Sequence, residues 1–133
     1  MDAASALADL TEISSQVEAA VVLDDAGAVV ASTLDDADRS ARLAQAALDL
    51  LGAADKRFES GGRALTQLEA ALREGSVFVA REEGRSIVAT TSAEPTSGLV
   101  FYDLKTCLRS LAEPKPEAKP ARPKRRPKAE SDA

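Results

Sequence analysis

Few residues in this chain are equipped for chemistry. Cys107 is the one thiol, adjacent acids occur as Asp24-Asp25, Asp35-Asp36 and Glu82-Glu83, and Gly61-Gly62 is a glycine pair. A thiol becomes a nucleophile when a neighbouring base or cation lowers its pKa. Cys107 lies on an apolar helical face with no basic activator evident, which reads as a buried structural thiol. Carboxylate pairs can share a proton for general acid–base work. These three pairs sit at turns or a helix start, where acids satisfy backbone amides instead. The chain contains no histidine, which excludes histidine triads, histidine zinc sets and a histidine general base. No Gly-x-x-x-x-Gly-Lys-Ser/Thr phosphate loop is present, and Gly61-Gly62 precedes a strand rather than a helix, so it reads as a turn. The sequence assigns no catalytic, cofactor-binding or metal-binding residue.

Composition narrows the class. At 133 residues the chain can bury one real core. Hydrophobic residues make up 44% but aromatic ones only 3%, so the core is built from Leu, Val, Ile and Ala. One cysteine cannot form an intramolecular disulfide, which suits a reducing compartment. The start, Met-Asp-Ala-Ala-Ser, lacks the basic and apolar regions of a signal peptide. No run approaches the roughly 20 apolar residues of a membrane span. A soluble, cytoplasmic protein is expected.

Charge divides the chain in two. Residues 113–133 hold Lys115, Lys119, Arg122, Lys124, Arg125, Arg126 and Lys128 against four acids, a net +3, and the overall −5 leaves −8 for residues 1–112. Five of the six prolines lie in the same stretch, which has no apolar residue larger than alanine. Such a segment cannot bury enough surface to offset ordering entropy. The expectation is an acidic globular domain, 1–112, followed by a disordered basic tail. The seven cations could contact phosphates in nucleic acid or anionic lipid. No aromatic residue interleaves them to stack on bases. A solubilising linker, or a tail folded back on the acidic domain, fits the same composition.

The elements follow from periodicity. Val77–Ala80 and Ile87–Ala89 flank a turn at Glu83-Gly84, a hairpin whose glycine supplies the positive φ of a tight turn. Neither run alternates cleanly, as expected for a sheet covered on both faces. Residues 19–23 and 28–32 repeat that two-faced signal around an Asp24–Gly27 turn. Leu7, Leu10, Ile13 and Val17 mark a first helix over residues 2–16. Residues 34–57 form a long helix, with Asp35 or Asp36 as its cap. At about 100° per residue, Asp38, Arg42, Gln45 and Asp49 make a narrow polar stripe. Leu43, Ala47, Leu50 and Ala54 cluster near about 110° from Arg42, and Ala41, Ala44, Leu48 and Leu51 near about 220°. That apolar arc, roughly 240° wide, exceeds the ~100° that docking on one sheet needs. Either the helix has a second apolar partner, most simply an antiparallel copy of itself, or it lies deep within one subunit. Residues 64–73 read as helix by propensity and as strand by their flanking glycines and hairpin. Thr96 or Ser97 caps a last helix, 98–112, ended by Pro114.

In order and spacing the chain resembles the roadblock / dynein light chain domain family over about residues 5–112. The resemblance rests on Val17–Asp24 followed by Gly27–Ser32, the Ala/Leu-rich long helix, Glu59-Ser60-Gly61-Gly62, Gly75–Val79 and Gly98–Leu104. It implies an α/β (α+β), profilin-like fold: a five-stranded antiparallel sheet with helices on both faces, in the order helix, two strands, helix, three strands, helix. Residues 64–73 then become the third strand. It further implies a non-enzymatic adaptor that pairs with itself or a paralogue and binds a small Ras-like GTPase as regulator or scaffold. Bacterial members are often partnered with a gliding- or polarity-type GTPase. The pairing residues would be Leu43, Ala47, Leu50 and Leu51 on the long helix, with Leu65 and Gln67 on the edge strand. Asp38, Arg42, Gln45 and Asp49 would meet the GTPase.

Overall fold

Asp2 starts the chain's first helix by accepting a hydrogen bond from the Ser5 amide at 2.8 Å. In the computed structural model, which describes residues 1–58 and 65–112, that helix, α1, spans Ala3–Ile13. It stops short of residue 16 because the Ser14 amide closes it on the Leu10 carbonyl. Then come β1 (Val17–Leu23), β2 (Val29–Ser32), α2 (Ala37–Phe58), β3 (Gln67–Ala71), β4 (Gly75–Glu82), β5 (Arg85–Ser92) and α3 (Ser97–Ala112). The five strands form one sheet in the order β2-β1-β5-β4-β3, antiparallel throughout. Gly61-Gly62 and the basic tail lie outside the described residues.

Turn chemistry sets the hairpins. Asp24 Oδ1 accepts from the amides of Ala26 and Ala28, both at 2.9 Å, and Gly27 has φ +86°. Glu83 and Gly84 both take positive φ, 54° and 82°, as a two-residue hairpin loop requires.

Both faces of the central strands are buried, and neighbours alternate between two cores. Ala20, Val22, Phe78, Ala80, Ile87 and Ala89 face α1 and α3, where they meet Leu7, Leu10, Val100, Leu104 and Leu108. Val21, Leu23, Val79 and Val88 face α2 and meet Ala44, Ala47 and Leu51. Phe78 and Phe101 pack edge to face, 5.0 Å between ring centroids. The two-faced expectation fails at β2, where Val29 and Val30 are 43% and 52% exposed. This short strand is the margin of the sheet, and the helices reach only its end, through Ala31 and a 2.7 Å contact between the Ser32 and Ser40 hydroxyls.

Residues 67–71 are strand despite their helix-forming composition. Their register on β4 sets Leu68 opposite Val79 and Ala70 opposite Val77, and burial alternates along them. Pairing and burial outweigh propensity differences of a few tenths of a kcal/mol per residue. Leu72 is left in the following turn, 64% exposed. Arg81 anchors this edge. Its guanidinium pairs with both Asp55 oxygens, at 2.9 and 3.0 Å, and its Nε donates to the Leu65 carbonyl at 2.9 Å. One side chain thus ties the end of α2 to the chain entering β3. The bond from Arg81 holds the Asp55 carboxyl below its ordinary pKa.

Three outcomes test this frame. A Cβ on Gly75 would lie 2.1 Å from the Thr91 carbonyl oxygen, so Gly75→Ala should lower urea-unfolding stability by about 2 kcal/mol or more. Gly52, in α2, has nothing within 4 Å of a Cβ, so Gly52→Ala should raise stability by about 0.5–1 kcal/mol. Arg81→Ala should cost about 1 kcal/mol at neutral pH. Because the folded Asp55 pKa is depressed, that difference should be present above the ordinary carboxylate range and shrink as pH falls below about 4.

Candidate functional site

Among the described residues, Asp24, Asp25 and Glu83 line one surface cleft together with Arg85, and Cys107 lies apart from them on α3. Cys107 is 4% exposed, and burial, followed by the nearby Asp9 charge, pushes its thiol up to about 11. It stays protonated at neutral pH and is a poor nucleophile. Asp24 is occupied by its turn, and Glu82 pairs with Arg109 at 3.0 Å. Asp36 is the cap of α2; its Oδ1 accepts from the amides of Asp38 at 2.8 Å and Arg39 at 3.4 Å. Among the described residues, no three His, Cys, Asp or Glu side chains come together as metal ligands.

Beside α2 the sheet is only partly covered. The helix docks on its sheet through Ser40, Ala44, Ala47 and Leu51, a row spaced four, three and four. Ala47 is 0% exposed and Leu51 4%. Both are spent on the subunit's own core and have no surface to offer a partner, which corrects their assignment to the pairing set. The docking row falls between the two apolar clusters of the helical wheel, so each cluster was split between core and rim. Leu48 leans toward Gly27, at the turn end of the sheet. Leu43 and Leu50, two turns apart, lie on the opposite side and are half-buried. Ala46 and Ala53 are exposed beside them.

Strand register shows what that side overlooks. Directly under α2 runs the cross-strand row Val21, Val88, Val79 and Leu68, its first three members 0% exposed. Two residues along each strand lies the next row on the same face: Ala19, Thr90, Val77 and Ala70. Apart from Ala19, its members are only half-buried. Two strand residues are about 7 Å and packed helix axes lie about 8–10 Å apart, so this row has room for one more helix beside α2. A groove of about 320 Å³ opens there, bounded by Ala19, Leu34, Leu43, Ala46 and Thr90, with Arg39 and Arg42 on its rim.

The row ends at β3, the other margin of the sheet. Leu65 precedes it half-buried and Gln67 opens it exposed. Asp38, Gln45 and Asp49 are exposed on the outer side of α2, with Gln45 Nε2 donating to Asp49 Oδ1 at 3.0 Å. Thr90, Val77 and Ala70 were missed from sequence. Each belongs to a strand recognised as such, but only the strand register lines them up. The seven tail cations lie outside the described residues.

Solved structures of known proteins share this architecture. A Roadblock/LC7 domain from Streptomyces avermitilis superposes with a TM-score of 0.73 at 21% identity, covering 84% of this chain and 96% of that one. The gliding protein MglB of Thermus thermophilus gives 0.68 at 17% identity, covering 83% and 85%. LokiProfilin2, solved in complex with rabbit actin, gives 0.52 at 12% identity over 80% of this chain and 92% of its own, which relates the fold to profilins. No curated protein matches the chain. Residues 4–92 match the Roadblock/LC7 domain itself. With that match spanning α1 to β5, two thirds of the sequence, the chain belongs to the Roadblock/LC7 domain family.

Proposed function

We propose that the chain is a non-enzymatic adaptor that works as a pair in the cytoplasm and regulates or scaffolds a small Ras-like GTPase. The observation that carries this reading is the half-covered row Thr90, Val77 and Ala70 beside the half-buried Leu43 and Leu50. A second α2 laid antiparallel in that space would cover both copies' strips at once. A two-fold axis makes such a contact self-complementary. α2 is about 33 Å long, so two such helices meeting side by side give a continuous contact rather than a point. The marginal strand β3, ending the same row, would let the two sheets continue into one another, with Leu65 and Gln67 at the junction.

The paired helices would then turn Asp38, Arg42, Gln45 and Asp49 outward on a common platform for the GTPase. Membership of a family of regulatory adaptors supports this role, and similarity to the gliding protein MglB is in keeping with the same kind of partner. Among the described residues no helix is long and apolar enough to cross a membrane.

Solution mass tests the pairing. The wild-type chain should run at twice its 13.9 kDa, and Leu50→Asp at the single-chain mass with an unchanged circular dichroism spectrum. A monomeric wild type, or a folded Asp variant of unaltered mass, overturns the pair. The GTPase role is tested separately. Asp38→Arg with Asp49→Arg should weaken capture of a co-expressed Ras-like GTPase about tenfold or more while leaving the mass unchanged. Equal capture by both proteins removes the stripe from the interface.

A further inference from the structure

The opposite face of the sheet carries a second cavity, remote from the pairing strip. α1 and α3 run antiparallel there, the Met1 ammonium reaching the Ser110 carbonyl at 3.5 Å. Between them lies a cavity of about 160 Å³. Its walls are apolar at Leu10 and Ile13, and two carboxylates, Asp9 and Asp103, line it together with Thr106 and Cys107. Asp103 is only 8% exposed. Among the described residues no cation pairs with either carboxylate. Asp103 thus lies along the cavity wall with no charged partner, and Asp9 beside it is exposed. The group that fits is a cation on an apolar stem, whose methylenes lie on Leu10 and Ile13 while its head meets the acids.

The chain supplies such groups close by. α3 ends at Ala112, two residues beyond the cavity-lining Ser110, and the cations begin at Lys115. From Ala112, where the helix ends, back to Asp103 is about 14 Å along the helix. Extended chain covers about 3 Å per residue, so the six cations from Lys119 to Lys128 can return that far. The net +3 of residues 113–133 also opposes the −8 of the domain it leaves. We propose that the α1–α3 cavity receives a lysine or arginine of the chain's own segment 119–128, held by Asp103 and Asp9. Docked in this way, the segment covers Cys107 and withholds its cations from other polyanions.

Carbodiimide coupling of the full-length chain, read by mass spectrometry, tests the contact. Amide links should join Asp9 or Asp103 to Lys119, Lys124 or Lys128. High salt, and Asp103→Asn, should each reduce them about tenfold. In a second full-length variant all seven tail cations are replaced by Gln, leaving the folded domain untouched. Its Cys107 should be alkylated several-fold faster than in the wild type. Tail lysines coupled evenly over surface acids, or chiefly to Asp25 and Glu83, overturn the proposal. So does an unchanged alkylation rate. Links between heavy and light chains in an isotopic mixture would place the tail on a second copy and overturn docking within one chain.

Discussion

A five-stranded sheet has two faces of equal area, and this chain gives two helices to one and a single helix to the other. Five strands spaced about 4.8 Å apart make a surface that one helix, about 10 Å wide, cannot cover. On the crowded face, α1 and α3 seal the strands from Val17 to Ala89. On the other, α2 seals the row from Val21 to Val79 and leaves the next row half open. The small side chains of that row keep the open strip shallow and flat. The proposed pairing is a consequence of this shortage of helix.

Much of the frame was legible because local chemistry and tertiary demand agree. Glu83-Gly84 had to turn, and Asp24–Gly27 had to turn, whatever surrounded them. The unbroken apolar runs of β1, β4 and β5 announced helices on both sides. Where the two demands conflict, sequence was a poor guide. Leu65, Leu68 and Leu72 keep helical spacing, yet the ladder with β4 sets Leu68 inward and leaves Leu72 in water. The apolar run at Val29-Val30 looked covered and is not, because burial depends on position in the sheet and not only on composition.

The candidate face was half legible for a related reason. A helical wheel shows how wide the apolar arc of α2 is but not where its centre docks. Ala47 and Leu51 went inward, while Leu43 and Leu50 stayed at the rim. Thr90 and Ala70 could not be singled out, since a row across strands exists only once the register is known. The Arg81 clamp was equally invisible. It joins Asp55 to Leu65, partners far from Arg81 in sequence, and so fixes where the marginal strand begins. The absence of histidine, by contrast, restricted the chemistry before any coordinate was needed.

The centre of the sheet pairs β1 with β5, so Val21 meets Val88 across most of the domain. During synthesis the first hairpin and α2 emerge long before that neighbour does. Their apolar faces must wait, and a nascent chain in this state is exposed to mispairing and to chaperones. The domain therefore becomes a unit only once β5 and then α3, which brings Val100, Leu104 and Leu108 to the core, have been made.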